Sequence, residues 1–203
     1  MGFCQWHGAR NNGSWYVHYQ LISDSKTQDC TELKGFYPES DDYFGYFTIA
    51  EPKSLEKAMN DLEDFIDLEG PFDIVMAVSI SSSLIGSLLQ KLGTDNQPPF
   101  RGAIFFAGMA PLDFATCAKG DLGFLEHAEE HKLISIPTAN IWGVHDDYHI
   151  HSAPKLAAFC SAQTNISLMH EARTPIPGSA DEKDLVAAAQ VIRVTVDRVT
   201  AVH

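Results

Sequence analysis

The sequence predicts an α/β fold in which a mostly parallel sheet lies between two layers of helices. Short apolar runs of strand length alternate with segments that repeat apolar residues at helical spacing. The predicted strands lie at 73–78, 102–107, 137–142 and 165–169, and the predicted helices at 52–66, 80–92, 153–160 and 181–199. Continuous apolar strands separated by helices are typical of parallel sheets with both faces buried. The length of 203 residues fits a single domain, spanning 1–203, with this three-layer arrangement.

The composition argues against several partners and compartments. The chain has 14 basic and 27 acidic residues and a formal net charge of −13, which disfavours nucleic acid or an anionic membrane as a partner. No apolar run reaches the roughly 18 residues that a membrane-spanning helix needs. The first residues lack the basic start and long apolar region of a signal peptide, and the four cysteines are widely spaced. We therefore expect a cytoplasmic protein with reduced thiols.

Two of the predicted helices have a clear apolar face. In the first, apolar residues recur at spacings that place them on one side of a helix, and the last helix shows the same pattern over a longer stretch. The predicted inner faces are Leu55, Met59, Leu62 and Ile66 in the first helix, and Leu185, Ala188, Ala189, Ile192, Val196 and Val199 in the last. The acidic residues of 61–69 are predicted to face solvent.

Ser79 stands where the first predicted strand turns into a helix. Gly70-Pro71 marks a turn, and a short apolar strand then leads directly to the serine. A serine at a sharp strand-to-helix turn is the geometry of a nucleophile elbow. Ala77 and Ser81, two residues before and after it, are small enough to let strand and helix pass closely, although glycine is usual there. The alternative is a buried strand that runs into an ordinary serine-rich helix N-terminus.

Three side chains with catalytic chemistry follow predicted strands. Ser79, Asp146 and His170 each come at a strand's carboxyl end, and ligands of parallel sheets bind beyond these ends. We therefore expect them at one edge of the sheet. This convergence favours the elbow over the N-cap alternative.

The N-terminal region offers two further candidate elements. A strand over 3–8 is predicted to end at His7-Gly8, and the loop over 9–14 has backbone N–H groups that could line an oxyanion hole. A plain turn is the alternative for this loop. The aromatic-rich stretch 36–47 could line an apolar pocket, or its rings could simply pin a loop to the core.

Histidines are concentrated after the third core strand. His145, His149 and His151 flank Asp146 and Asp147, a combination of ligands that suits divalent metals. Their spacing matches none of the common zinc motifs, so we predict no metal and no cofactor. The interpretation that we favour is that one of them acts as an acid or base in a pocket.

The order of these motifs resembles that of α/β-hydrolases, and more specifically the FSH-type family of small serine hydrolases, which includes fungal thioesterases that release polyketides. The order is an elbow serine, a Gly-x-x-Asp segment after a later strand, and a histidine-containing loop before the last helix. The four patches that carry the resemblance are His7-Gly8 with Asn11-Asn12-Gly13, Gly70-Pro-Phe-Asp73 leading into Ser79, Ile141-Trp-Gly-Val-His-Asp146, and His170-Glu-Ala-Arg-Thr-Pro-Ile-Pro177.

The resemblance implies roles for individual residues. Ser79 would be the nucleophile and Asp146 the acid, but the family's catalytic histidine falls on Thr174, which cannot act as a base near neutral pH. His170, four residues earlier, could replace it if the loop is rearranged, or it could be a structural histidine at a strand end. The residues expected to serve the oxyanion or the substrate are His7, Gly8, Ile80 (through its N–H), His145, His149 and Thr174.

The resemblance implies hydrolysis of an acyl ester or thioester in an apolar, polyketide-like substrate of secondary metabolism. Two alternatives remain open because of Thr174: a cyclase or isomerase that reuses the hydrolase pocket, and a non-catalytic binding protein. Between His18 and Gly35 the chain is short of the family's first helix and second strand. We therefore expect a shortened N-terminal part and a sheet edge that a second copy, in a homodimer, could cover.

Overall fold

The computed structural model describes residues 8–11, 14–17, 47–48, 51–92, 98–131, 133–146, 150–172, 176–178 and 181–201. Its strands are β1 (Gly8–Asn11), β2 (Ser14–Val17), β3 (Phe72–Val78), β4 (Phe100–Phe106), β5 (Thr138–Gly143) and β6 (Asn165–His170). Its helices are α1 (Pro52–Glu69), α2 (Ile80–Leu92), α3 (Phe114–Cys117), α4 (Ala153–Ala158) and α5 (Glu182–Thr200), with a 3₁₀ turn at Ala128–Glu130. The predicted core strands and long helices are all present, with bounds that differ by a few residues at most.

A four-stranded parallel sheet in the order β3-β4-β5-β6 forms the centre of the described structure. Val78 pairs with Phe106, Phe106 with Ile141, and Ile141 with Leu168. The four strands therefore end at nearly the same level, and their carboxyl ends form one edge. The predicted parallel α/β sheet is confirmed.

Helices cover both faces of this sheet. On one face, α1, α2 and α4 pack on alternate residues of β3 and β4, including Phe105, and on the other face α5 packs on Ile104 and Phe106. This division follows from the strand period of two, which sends neighbouring side chains of β4 to opposite faces. None of the described helices is both long and apolar enough to cross a membrane.

The N-terminal strands form a separate antiparallel pair, in which Gly8 lies opposite Val17 and Asn11 opposite Ser14. The expectation of a loop over 9–14 was therefore wrong, because Ala9 to Asn11 and Ser14 belong to strands. The sequence contained the signal, since Asn-Gly is the dipeptide that most favours a short hairpin connection. His7 lies outside the described residues.

The inner face of α5 is rotated from the predicted one. Its buried residues are Ala188, Thr195 and Val199. By contrast, Leu185 is 41% exposed and Ala189 is also exposed. Arg198 donates to a carbonyl just before β6, and Asp184 accepts from two N–H groups just after it. These bonds draw one side of the helix toward β6 and turn Leu185 and Ala189 away from the sheet.

Among the described strands, β3 is an edge strand of the parallel sheet. Two apolar side chains on its α5 side, Met76 and Val78, are 54% and 39% exposed. The expectation that a second copy covers a sheet edge stays a prediction.

The segment between β4 and β5 is mostly irregular. Its helical elements are the short helix α3, which was not predicted, and the 3₁₀ turn at Ala128–Glu130. The Asp113 carboxylate caps α3 by accepting a hydrogen bond from Ala115 N–H at 3.0 Å. The hydroxyl of Thr116, which donates to the same carboxylate, is the main cause that lowers the pKa of Asp113.

Candidate active site

Ser79 occupies a sharp turn between β3 and α2. Its φ angle is +53°, in the left-handed region that residues other than glycine rarely adopt. Ser79 N–H donates to Phe106 O at 3.0 Å, and Ser79 O accepts from Ser82 N–H at 2.9 Å. The hydroxyl of Ser81, at a position where glycine is usual, bonds both the N–H and the carbonyl of Val78. The predicted elbow is therefore a backbone turn fixed by hydrogen bonds and held in a strained conformation.

A second strained residue lies beside the elbow. Ala107, which follows β4 directly, has a φ angle of +44°, and its N–H donates to Ile141 O at 2.8 Å. Left-handed residues other than glycine persist only where their surroundings fix them, and they are frequent at functional sites. Two adjacent strands of this sheet thus end in strained turns on the same edge.

The segment after β4 is fastened to α2 by buried serine hydroxyls. Met109 N–H donates to Ser82 Oγ at 2.8 Å, and Ser83 Oγ donates to Met109 O at 3.2 Å. One turn later, Leu112 N–H donates to Ser87 Oγ at 2.8 Å. Sequence reasoning missed Met109 and these bonds. The available signal was the repetition of serine on the face of α2 that also carries buried leucines.

Met109 lies against the serine of the elbow. Its side chain is buried, and its Sδ lies 3.8 Å from Ser79 Oγ, within range of a weak hydrogen bond to the thioether. A thioether has no basic group, so Met109 cannot take the serine proton. Its effect on Ser79 is to place an apolar, polarisable atom beside the hydroxyl.

Asp146 follows β5 at the same edge as Ser79. It is only 8% exposed, and its carbonyl accepts a hydrogen bond from Ile150 N–H at 2.9 Å. The strand that it follows lies two places from β3, which corresponds to about 10 Å at the usual spacing of parallel strands. The structure therefore brings Ser79 and Asp146 to one end of the sheet, as the sequence predicted.

His170 lies at the carboxyl edge of the sheet that also carries Ser79 and Asp146, as the sequence predicted. It ends β6, three strands from β3, which corresponds to about 14 Å. By the strand period it shares a face with Leu168, which packs on the α5 side. The strand order thus places His170 farther from Ser79 along this edge than Asp146, and its role as a base stays a prediction. The ring is 2% exposed, and neither nitrogen has a hydrogen-bond partner in the described structure.

The structure describes three of the remaining predicted site residues, which are Ile80, His145 and Gly8. Ile80 begins α2, so its N–H has no acceptor within the helix and lies directly after Ser79, as an oxyanion donor requires. His145 is half-exposed, with Nε2 lying 3.2 Å from a carboxylate oxygen of Glu171 on the side of β6. Gly8 is part of β1. His7, His149 and Thr174 lie outside the described residues.

The two described cysteines, Cys117 and Cys160, are both free and buried. Burial raises the pKa of the Cys160 thiol. In the ranges that the structure describes, no group of three or more histidine, cysteine, aspartate and glutamate side chains is arranged to hold a metal ion. The absence of a metal and of a cofactor stays a prediction.

Comparisons with known proteins point to one family. The family model for serine hydrolase (FSH1) matches residues 12–186. Esterase FPY3 of Fusarium mangiferae is 30% identical over 138 residues, which cover 68% of this chain and 63% of the relative. Hydrolase phiM of a fungal species (strain ATCC 74256) is 32% identical over 124 residues, covering 59% of this chain and 57% of the relative. The chain thus spans about three-fifths of the length of these curated relatives.

A structural comparison gives one further similarity. The crystal structure of a hydrolase from Agrobacterium vitis S4 matches 75% of this chain and 71% of that chain. The TM-score is 0.48 and the sequence identity is 14%.

Proposed function

This chain belongs to the serine hydrolase (FSH1) family, and we propose that it hydrolyses an acyl ester or thioester with Ser79 as the nucleophile. The observation that carries the proposal is the strained turn at Ser79, whose φ angle is +53°. Such strain persists where it serves a function, and a sharp turn exposes a serine hydroxyl at the end of a strand. The relatives named an esterase and a hydrolase support the same reaction class.

The reaction that this site would perform has two acyl transfers. Ser79 Oγ attacks the carbonyl carbon of the substrate, the bond to the alcohol or thiol breaks, and the proton of the serine passes through a base to the leaving group. Water then attacks the acyl-serine, which releases the carboxylic acid and restores the hydroxyl. The negative charge that develops on the carbonyl oxygen in both steps would be stabilised by Ile80 N–H at the start of α2.

The base in this proposal is a histidine of the loop that follows β5. His170 ends β6, three strands from β3, and the family position of the base is occupied by Thr174. The chain leaves β5 at the same edge of the sheet, one strand closer to Ser79 than β6, and the sequence 144–151 contains His145, His149 and His151. A base from this loop would also lie beside the buried Asp146, which could orient it.

The substrate class in this proposal is an acyl chain that is largely apolar and polyketide-like. The resemblance to fungal thioesterases of the FSH type favours this class, and the apolar side chain of Met109 next to Ser79 supports it. Both curated relatives are fungal proteins. A role in secondary metabolism is part of the same proposal.

Labelling with a fluorophosphonate probe tests the nucleophile. We expect the wild-type protein to be labelled at Ser79, located by peptide mass spectrometry, because a phosphonate reacts only with an activated serine. Ser79→Ala should abolish labelling. Ser135→Ala, which changes an exposed serine before β5, should be labelled like the wild type. A folded wild-type protein without labelling would contradict the proposal.

The same probe tests the base. Single replacements by asparagine should show whether the base follows β5 or is His170. The four positions are His145, His149, His151 and His170. We expect one of the first three to lower the labelling rate at least 100-fold, in the range that general-base catalysis supplies. His170→Asn should label within about twofold of the wild-type rate. A large loss in His170→Asn would restore His170 as the base.

A second candidate function is cyclisation or isomerisation of a similar substrate without an acyl-serine. One observation favours it: a threonine, Thr174, occupies the family position of the base. Such an enzyme would need a shaped apolar site and one acid or base, but no serine nucleophile. It predicts a folded protein that the phosphonate does not label and that binds apolar acyl compounds in equilibrium dialysis.

A further inference from the structure

We propose that Met109 is a specificity-determining residue, which excludes acyl groups branched next to the carbonyl from the site at Ser79. The proposal rests on the proposed function, because it assigns a role toward the acyl group that Ser79 would carry. The starting observation is the distance of 3.8 Å between Met109 Sδ and Ser79 Oγ.

An acyl group bound to Ser79 Oγ has to share space with this thioether. The carbonyl carbon attaches within a bond length of Oγ, so the carbon next to it lies within contact range of an atom only 3.8 Å away. A straight chain can leave along one direction and avoid the sulfur. A branched chain occupies two directions at once, and one of them would clash with the sulfur or its methyl group. The side chain of Met109 therefore discriminates between straight and branched acyl groups at the carbon next to the carbonyl.

A methionine side chain is flexible, so the proposal requires that its backbone be held. Ser82 and Ser83 provide this, because their hydroxyls bond the N–H and the carbonyl of Met109 at 2.8 and 3.2 Å. Ser82 Oγ also donates to Ser79 O. The backbone of Met109 is thereby tied to the elbow through a single buried side chain.

The residues before Met109 hold the segment from the other side. A Cβ added at Gly108 would lie 2.4 Å from Leu156 Cδ2, so α4 closes against this backbone. Ala107 is held in its left-handed conformation, with its N–H bonded to β5. The segment 107–109 is therefore confined between α2, α4 and the end of β5. Met109 can change rotamer, but its Cα cannot withdraw from Ser79.

The proposal makes Ser82 a positioning residue. Without its hydroxyl, Met109 N–H would lose its acceptor and the connection to Ser79 O would be lost. Ser87 offers a matched comparison, because its hydroxyl accepts the N–H of Leu112 in the same way one turn further along α2. Both hydroxyls are buried, and only that of Ser82 contacts the elbow.

The test uses two phosphonate probes with the same leaving group, one with a straight butyl chain on phosphorus and one with a branched tert-butyl group. The measured quantity is the ratio of their labelling rates at Ser79. In Met109→Ala we expect the ratio to shift about tenfold or more toward the branched probe, since one methylene of pocket space changes discrimination by at least that much. Met109→Leu, with similar volume, should stay near the wild-type ratio.

Controls keep the outcomes distinct. Met76→Ala, which shortens an exposed methionine, should leave the ratio unchanged. Ser82→Ala should shift the ratio toward the branched probe, whereas Ser87→Ala should lose stability without shifting it. If Met109→Ala does not fold, Met109→Val decides by the same ratio.

Two results would overturn the inference. A wild-type ratio retained in a folded Met109→Ala protein rejects the role of Met109 and leaves the proposed function standing. No labelling of the wild type by either probe rejects the proposed function, and the role of Met109 with it.

Discussion

The two ends of the predicted triad differ in how completely their polar groups are bonded. At the nucleophile end, where β3 turns into α2, the buried hydroxyls of Ser82, Ser83 and Ser87 all have partners. At the histidine end, His170 is buried with neither ring nitrogen bonded in the described structure. Trp142 Nε1, near the end of β5, also has no hydrogen-bond partner among the described residues.

This difference indicates that the described hydrogen bonds fix the geometry of the nucleophile end more completely than that of the histidine end. A bonded buried hydroxyl contributes to stability and fixes geometry, whereas an unpartnered buried nitrogen costs free energy. A catalytic histidine needs a partner that sets its tautomer. Among the described residues, His170 has no such partner.

The largest expected change of stability is at the bonded end. Ser87→Ala removes the acceptor of Leu112 N–H and leaves a buried amide unsatisfied. We expect the free energy of unfolding to fall by about 2 kcal/mol, measured by urea denaturation. Ser135→Ala, at an exposed position, should change it by less than about 0.5 kcal/mol. Equal effects of the two variants would show that the α2 hydroxyls do not stabilise the nucleophile end.

A smaller effect of opposite sign is expected at the histidine end. His170→Leu replaces an unpartnered buried ring by an apolar side chain, so the free energy of unfolding should rise by about 1 kcal/mol. His170→Gln, which keeps a polar group there, should not produce this gain. A destabilised His170→Leu protein would mean that the ring nitrogens are bonded in solution, and it would remove the contrast between the two ends.

The smallest expected effect is on the pH dependence of stability, through Asp113, which caps α3. The pKa of Asp113 is lowered in the folded protein, chiefly by the hydroxyl of Thr116. Its stabilisation is therefore complete above the unfolded pKa and is lost as the pH falls through the lower folded pKa. Thr116→Val should weaken the decline of stability in this acidic range, measured by urea unfolding between about pH 5 and pH 2. An unchanged pH profile would contradict the assignment.

The elements that could be predicted from sequence are those with local causes. The elbow at Ser79 follows from a strand, a turn and small neighbours that are adjacent in the chain, and the family resemblance based on these motifs is confirmed. The parallel sheet could be predicted because apolar runs of strand length alternate with segments of helical periodicity. The hairpin was missed because the stretch 9–14 was interpreted as a loop after a strand over 3–8, although its Asn12-Gly13 dipeptide favours a hairpin.

The parts that could not be predicted depend on register and tertiary contacts. Met109 is thirty residues from Ser79, and only the crossover from β3 to β4 brings it to the elbow. The separation of His170 from Ser79 is a property of strand order, which a single sequence does not reveal. The rotation of α5 likewise depends on bonds from Arg198 and Asp184 to residues around β6.

Gly102 has a practical consequence for any altered version of this chain. A Cβ added there would lie 2.5 Å from Val199 Cγ2, and Arg101 donates a hydrogen bond to Val199 O. The final turn of α5 therefore covers the start of β4. A shortened chain that ends before Val199 would uncover β4, whereas a purification tag or reporter attached after Ala201 would leave this contact intact.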